Sequence, residues 1–144
     1  MSKKILLAVF LCVSNFSYAG VYSDDLSRCL VASSTPEDRA TLAKWMFTSM
    51  ARHPAVVSMS SVTDQQRDST NKAVADMFVS LIADSCVTQT KDALRYEGEL
   101  AMSQAFELLG KVAATELFAH PDVAQALTSL EQHIDIDKLA SVFE

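Results

Sequence analysis

Two histidines are the residues of this sequence whose types and spacing come closest to a site for chemistry. His53 and His120 each precede a proline at the end of a predicted helix, where an imidazolium interacts favourably with the helix dipole. If two halves of the chain packed symmetrically, both imidazoles and one carboxylate would form a metal site. The alternative, which we favour, is that each histidine ends a helix for geometric reasons.

The sequence contains no motif of a known catalytic type. It has no G-x-S-x-G, no H-E-x-x-H and no glycine-rich phosphate loop. Four glutamates are acids by type, but their helical spacing is typical of a solvated face: Glu97, Glu99, Glu107 and Glu116. We therefore expect no catalytic residue and no cofactor, and keep an enzyme or metal-binding protein that uses the two histidines as the alternative.

The first 19 residues have the layout of a secretory signal peptide. Lys3 and Lys4 form a positive region, residues 5–13 are apolar, and Ser17 and Ala19 occupy the −3 and −1 positions of a cleavage site. The apolar run is shorter than the roughly 20 residues that span a bilayer. Cleavage after Ala19 would leave one domain, residues 20–144; a buried N-terminal helix is the alternative reading.

The composition of the mature chain limits its compartment and partners. Loss of two lysines changes the formal charge from −6 to −8, since −6 − 2 = −8, and the basic residues are not clustered. Nucleic-acid binding needs such clusters, so it is not expected. No later segment is long and apolar enough for stable membrane insertion. The sequence predicts a soluble protein of the periplasm of a Gram-negative bacterium.

Two cysteines remain after cleavage, and we predict a disulfide between them. Cys29 and Cys86 are separated by 86 − 29 = 57 positions, without C-x-x-C spacing or a nearby histidine. A reactive thiol and a metal site are the alternatives. The chain-entropy model gives a bridge of this span about 4 kcal/mol of stabilisation.

Apolar spacing and capping signals predict an all-α bundle of five to six helices. Only three glycines and three prolines occur in the whole sequence, which favours helices. The predicted helical segments are 23–33, 35–53, 63–86, 90–97, 100–119, one that starts at Pro121 and a last one that starts at Asp135. The N-caps are assigned to polar residues: Ser23, Thr35, Thr63, Thr90 and Asp135.

Two predicted stripes organise the core. The long helix 63–86 carries one at the 3.6-residue period and ends on the cysteine: Val74, Met77, Phe78, Leu81 and Ile82. The preceding helix carries another, widened by Leu42, Trp45 and Met46: Ala40, Ala43, Phe47 and Met50. Gly110, inside helix 100–119, is expected to allow a neighbouring helix to approach. The apolar residues after position 121 are expected to pack on the core.

Two segments between helices are the candidate binding surface. The connector, residues 55–62, carries Val56, Val57 and Met59, which we expect to lie partly against the core. The second segment is Tyr96 with Glu97, a polar turn beside an aromatic residue, ahead of a glycine able to adopt a positive φ. A simple turn between helices is the alternative for this second segment.

An internal echo suggests a duplicated helical unit. Residues 50–56 resemble residues 117–123, because both contain His-Pro followed two positions later by valine. The match is short. Two copies of H-P-x-V are weak evidence for duplication.

The sequence resembles small exported helical proteins of uncharacterised function from Gram-negative bacteria. The residues that carry the resemblance span most of the mature chain: Cys29-Leu30, Thr35 with Asp38, Trp45 with Phe47, His53-Pro54, Cys86, Glu97-Gly98, Ala105-Phe106 and Leu109-Gly110. In its general plan alone it is also similar to periplasmic immunity proteins that neutralise cell-wall amidases. The chain is short and acidic, has one predicted disulfide and lacks a catalytic motif, so we expect a binding protein (adaptor, inhibitor or immunity type) whose partner is another envelope protein. A lipid or small-ligand carrier is a further alternative, and the oligomeric state is left open.

Overall fold

The structure, a computed structural model, describes residues 20–143, and the helical segments of this range define an all-α fold. The α-helices are α1 (Val21–Ser33), α2 (Pro36–Met50), α3 (Asp64–Ser80), α4 (Val87–Tyr96), α5 (Glu99–Ala119), α6 (Pro121–Thr128) and α7 (Ile136–Ala140). Short 3₁₀ segments cover Val57–Met59 and Ser129–His133, and a π-helical segment covers Leu81–Ser85. The predicted fold class is confirmed. The predicted signal peptide lies outside the described residues.

Five of these helices form the bundle, and α5 is its central element. α5 packs against α1, α2 and α4, while α3 packs against α2 and its π-helical extension reaches α1 and α4. α6 contacts only the end of α5 and the 3₁₀ segment that follows it, and α7 packs on no other helix of the described chain. No helix within residues 20–143 has the length and apolar character needed to cross a membrane.

Small residues on α5 bring its neighbours close. Ala101, Ala105, Leu109 and Ala113 recur every fourth position and are fully buried. An i, i+4 row lies on one face of a helix, so these residues form one continuous strip of contact. Leu26 and Leu30 of α1 and Leu42 of α2 complete the centre of the core together with the predicted stripe of α3.

Local capping residues behave as predicted at three helix starts. Thr35 Oγ1 accepts the backbone N–H of Asp38 at 3.1 Å, and the Asp38 carboxylate accepts the N–H of Thr35 at 2.9 Å. Thr63 and Gln66 form the same reciprocal capping box, and Asp135 accepts the N–H of Lys138. Each box satisfies backbone donors that a helix start leaves without an intrahelical partner.

The N-cap predicted at Thr90 is wrong. α4 begins three residues earlier, at Val87, directly after the cysteine. Thr90 is consequently buried inside the helix, where its hydroxyl oxygen has no hydrogen-bond partner among the described residues. Because α4 directly follows Cys86, the position of this cysteine fixes where the helix starts. Local capping rules do not take such a constraint into account.

The predicted disulfide joins Cys29 of α1 to Cys86, with a sulfur–sulfur distance of 2.05 Å. The helix predicted to run unbroken to this cysteine instead changes to a π turn at Leu81, where the Cys86 N–H donates to the Leu81 carbonyl at 2.8 Å. In a regular α-helix Ser85, four residues after Leu81, would continue the stripe, and Cys86 would lie about 100° further round. The π turn holds one more residue, so Cys86 is fully buried and Ser85 is exposed.

Two packing predictions are wrong. A Cβ atom at Gly110 would meet no atom within 4 Å, so this glycine does not admit a neighbouring helix. The C-terminal arm, which we define as residues 120–143, does not pack on the core, and its large apolar side chains other than the half-buried Val123 are exposed, up to 87% for Phe143. The amphipathic pattern of the arm was read correctly as helix, but no element of the described chain covers it.

Candidate functional site

The two histidines have the same local role. His53 Nδ1 accepts the backbone N–H of Ala55 at 3.2 Å, and His120 Nδ1 accepts that of Asp122 at 3.3 Å. Each imidazole therefore replaces a missing partner for the N–H that follows the proline. The repeated His-Pro motif forms a turn in both places. α6 follows the second copy, whereas only turns and a 3₁₀ segment follow the first.

This geometry engages Nδ1 of each imidazole, and Nε2 has no hydrogen-bond partner within residues 20–143. Among the residues that the structure describes, no three side chains of His, Cys, Asp or Glu converge to hold a metal ion. Asp122 is the acidic neighbour of His120, with its carboxylate 3.8 Å from Nδ1. The arrangement fits the interpretation of both residues as helix-end caps.

The connector is exposed along the part predicted to bind. Val56, Val57 and Met59 all lie on the surface, and Met59 is 83% exposed. The expectation that they lie partly against the core is wrong, because the connector turns away after the His53-Pro54 turn and none of its 3₁₀ residues is buried. The assignment of these residues to a binding surface stays a prediction.

Tyr96 and Glu97 join the end of α4 to the start of α1. The Tyr96 ring stacks on Tyr22 with centroids 4.6 Å apart. The Glu97 carboxylate accepts the backbone N–H groups of Tyr22 and Ser23, each at 2.9 Å. Burial acts to raise the pKa of Glu97, but the hydrogen bonds from Tyr22 and Ser23 outweigh it and hold that pKa below its ordinary value.

Glu97 consequently caps a helix 75 residues away in sequence. The N-cap predicted at Ser23 is wrong: α1 begins at Val21, and Ser23 is buried in its first turn, where its hydroxyl donates to the Gly20 carbonyl. Gly98, with a φ of 76°, turns the chain from α4 into α5, and its N–H donates to the Ala93 carbonyl. The positive φ predicted for this glycine is confirmed.

A groove of about 460 Å³ lies between α2 and α5, and we call it the α2–α5 groove. Its floor is formed by alanines at positions 40, 43 and 113, and Phe47 and Leu117 flank it. Phe47 is 57% exposed and Leu117 is 39% exposed. Its volume falls in the range of ligand-binding clefts, and its lining is mostly apolar.

The sequence pattern placed the α2 side of this groove in the core, and that prediction is wrong. The side chains that pack into the core from α2 are Leu42, Trp45 and Met46, whereas Phe47 and Met50 are exposed. α2 is apolar on two faces, one against the core and one lining the groove. The signal was the unusual width of the apolar surface, which exceeds what one helix contact needs.

A partly buried arginine fixes one edge of the groove. Arg39 Nε donates to both carboxylate oxygens of Glu116 at 2.8 Å, and Nη1 donates to the carbonyl and hydroxyl oxygens of Ser34. The Arg39 side chain is only 15% exposed. This network ties α5 to the turn between α1 and α2, so the edge of the groove is rigid.

The opposite edge carries an available cation. Lys44 makes no ion pair with any residue in 20–143. Lys44 and Phe47 also line a smaller cavity of about 280 Å³ between α2 and α3. His120 closes the end of the groove from which the C-terminal arm departs.

Comparisons with protein-family models, curated proteins and solved structures found no match for this chain. The resemblance to small exported helical proteins therefore stays a prediction from the sequence.

Proposed function

We propose that this protein is an exported binding protein of the periplasm, of adaptor, inhibitor or immunity type, whose partner is another envelope protein. The observation that carries the proposal is the α2–α5 groove, where Phe47 and Leu117 stand exposed beside an alanine floor. The bundle has a separate, complete core, so these side chains are not needed to close it. Exposed apolar surface of this kind is characteristic of interaction sites.

The chemistry of the groove fits an amphipathic helix of the partner. Two helices bound it, and the alanine floor lets a third backbone approach closely. A stripe of apolar residues on the partner helix would contact Phe47 and Leu117. Because Lys44 is unpaired within the described chain, a carboxylate of the partner beside it would complete the contact.

The test is a pull-down from cell-envelope extract with the tagged, oxidised chain that starts at Gly20. We expect a stoichiometric partner that Ala43→Arg and Leu117→Asp abolish, because these changes fill the groove or charge its wall. Val79→Asp is the control, since Val79 is an exposed apolar residue on α3 that lies outside the groove. Retention of the partner by both groove variants would overturn the assignment of the site.

The connector is tested in the same assay. Val57→Asp and Met59→Asp charge the exposed surface predicted from the sequence without touching the groove. Loss of the partner only in these variants would move the binding site to the connector. Protein that elutes alone, or only as a complex of two copies, would contradict an envelope partner.

A carrier of a small apolar ligand is the second candidate function, favoured by the volume and apolar lining of the groove. An environment-sensitive apolar dye should then bind with one site and be displaced by fatty acid. Ala43→Arg should abolish dye binding under this second function. A dye signal that Ala43→Arg leaves unchanged would exclude the groove as a ligand site.

A further inference from the structure

The first turn of α1 is held by a carboxylate that lies directly against Gly20. Glu97 accepts the N–H groups of Tyr22 and Ser23, and the Gly20 carbonyl accepts the Ser23 hydroxyl and the N–H of Asp24. All these contacts lie within the first turn of the helix. The hydrogen bonds that its carbonyl accepts therefore hold Gly20 in place.

The Glu97 carboxylate occupies the space that a side chain at position 20 would take. A Cβ atom built there would lie 1.9 to 2.3 Å from the carboxylate atoms of Glu97. The φ of Gly20 is −69°, so the requirement for glycine comes from this carboxylate and not from backbone conformation. Since Cβ lies about 1.5 Å from Cα, the carboxylate is within about 3.5 Å of the Gly20 Cα. The Gly20 nitrogen is bonded directly to that Cα.

The predicted cleavage site places a new charge at this nitrogen. Hydrolysis of the Ala19–Gly20 peptide bond by an envelope peptidase consumes one water: hydroxyl adds to the Ala19 carbonyl carbon, and the Gly20 nitrogen receives a proton. At neutral pH the product carries an α-ammonium group with three donors. An amide at the same position is neutral and has one donor.

We propose that Glu97 is the binding site for the α-ammonium group of the mature chain, so that removal of the signal peptide completes the junction between α1 and α4. The carboxylate then holds two backbone donors of α1 and the new cation together. Tyr22 stacked on Tyr96 is a second contact between α1 and the end of α4 at this junction. This is the capture of an N-terminal amine by a preformed acceptor, here within one chain.

The experiment compares two N-termini in two backgrounds. One chain begins at Gly20, released from a cleavable fusion without extra residues, and the other begins at Tyr18, which moves the ammonium group two residues away. Both are made with Glu97 and with Glu97→Gln, and the melting temperature (Tm) is measured. We expect the Gly20 chain to melt a few degrees above the Tyr18 chain in the Glu97 background only.

A merely structural cap predicts a different result. Glutamine has no charge and keeps only one of the two acceptor oxygens that bind the helix N–H groups. The loss of the other hydrogen bond is common to both N-termini, so the difference between the Gly20 and Tyr18 chains within each background isolates the interaction with the ammonium group. Equal Tm values for the two N-termini in the Glu97 background would overturn the proposal. So would the same difference in both backgrounds, because the effect would then not depend on the carboxylate.

A second measurement addresses the processing site itself. N-terminal sequencing of protein exported by cells should begin at Gly20. Gly20→Ala should lower Tm in the chain that begins at residue 20, because its methyl group displaces the carboxylate. An exported chain that begins at another residue would contradict the proposal.

Discussion

The Glu97 carboxylate and the backbone N–H of Tyr22 are joined by a 2.9 Å hydrogen bond across 75 residues of sequence. A second bond of 2.9 Å runs to Ser23. Together they replace the local N-cap that α1 lacks, since Gly20 has no side chain to offer. The end of α4 therefore determines where α1 begins.

This contact predicts a defined pH dependence. The pKa of Glu97 is lowered in the folded chain, from an ordinary value of 4.5, because its hydrogen bonds outweigh the effect of burial. The ionised carboxylate therefore stabilises the fold fully above about pH 4.5, and this stabilisation is lost as the pH falls through the folded-state pKa. The wild type should exceed Glu97→Gln in free energy of unfolding at neutral pH, and the gap should close in acid.

Urea unfolding from neutral pH to about pH 3 measures this gap. Glu131→Gln is the control, because Glu131 is exposed and makes no ion pair within residues 20–143. Its difference from wild type should stay near zero throughout. A Glu97→Gln gap that remains constant into acid would show that the charge of the carboxylate is irrelevant.

The π turn predicts that deletion of one residue is tolerated at a specific place. Removal of Asp84, which is exposed, should convert Leu81–Ser85 to an α turn and keep the cysteine in line with the stripe. We expect no free thiol in the denatured, unreduced protein and a Tm near that of wild type. Deletion of Asp76, in the regular part of α3, should rotate the later part of the stripe by about 100° and unfold the protein.

Thiol titration and thermal melting of the two deletion variants decide this prediction. Two free thiols in the Asp84 deletion, or equal damage from both deletions, would show that the extra residue does not set the direction of Cys86. The wild-type chain, oxidised, is the reference for both measurements.

Capping boxes and stripes were predictable because their partners lie within a few residues. Thr35 finds Asp38 three positions away, and the α3 stripe needs only the helical period. Glu97 and Tyr22 form an equally ordinary hydrogen bond, but nothing in either local sequence identifies the other. The cap predicted at Ser23 failed for this reason.

The α2–α5 groove was not predicted from the sequence, for a related reason. The residues of α2 were correctly identified as apolar, but periodicity does not tell a face that packs from a face that lines a groove. Only the position of α5 shows that Leu42 is buried while Phe47 is not. The connector, by contrast, was predicted as a candidate surface, and its side chains are exposed.

Two glycines predict substitutions of opposite sign. A Cβ atom would meet nothing within 4 Å at either Gly110 or Gly98, so space does not distinguish them. Gly110 lies inside α5, where alanine should stabilise the fold by about 0.5 to 1 kcal/mol. Gly98 has a φ of 76°, and alanine there should destabilise it by about 1 to 3 kcal/mol. Urea unfolding of Gly110→Ala and Gly98→Ala tests both, and a Gly110→Ala variant less stable than wild type would contradict the packing at α5.

Two ion pairs of equal length predict unequal contributions to stability. Arg39–Glu116 and Lys111–Glu107 both have a nitrogen–oxygen distance of 2.8 Å. The Arg39 side chain is mostly buried and also binds Ser34, whereas both partners of the second pair are more than 60% exposed. Arg39→Ala should therefore cost about 1.5 to 3 kcal/mol, and Lys111→Ala less than about 0.5 kcal/mol.

Urea unfolding at low and high salt checks these values. Salt should weaken the small effect of Lys111→Ala further and leave most of the Arg39→Ala effect, since Arg39 is the less exposed cation and its hydrogen bonds to Ser34 do not involve a second charge. Arg39→Lys should recover only part of the stability, because an ammonium group cannot bind Glu116 and Ser34 in the same fork. Equal losses for Arg39→Ala and Lys111→Ala would show that burial does not separate the pairs.

The C-terminal arm predicts a truncation that leaves the bundle intact. α7 packs on no described helix, and Leu139 is half exposed, whereas Leu109 of α5 is fully buried. A chain that ends at Ala119 should lose at most about 1 kcal/mol of unfolding free energy. In the full chain Leu139→Ala should be near neutral, and Leu109→Ala should cost about 2 to 5 kcal/mol. A truncated chain that melts far below wild type would place the arm on the core.

Since the arm begins at His120, at the end of the α2–α5 groove, the same truncation in the pull-down tests whether the arm takes part in binding. Loss of the partner with the bundle still folded would make the arm part of the binding surface, and retention would confine binding to the bundle.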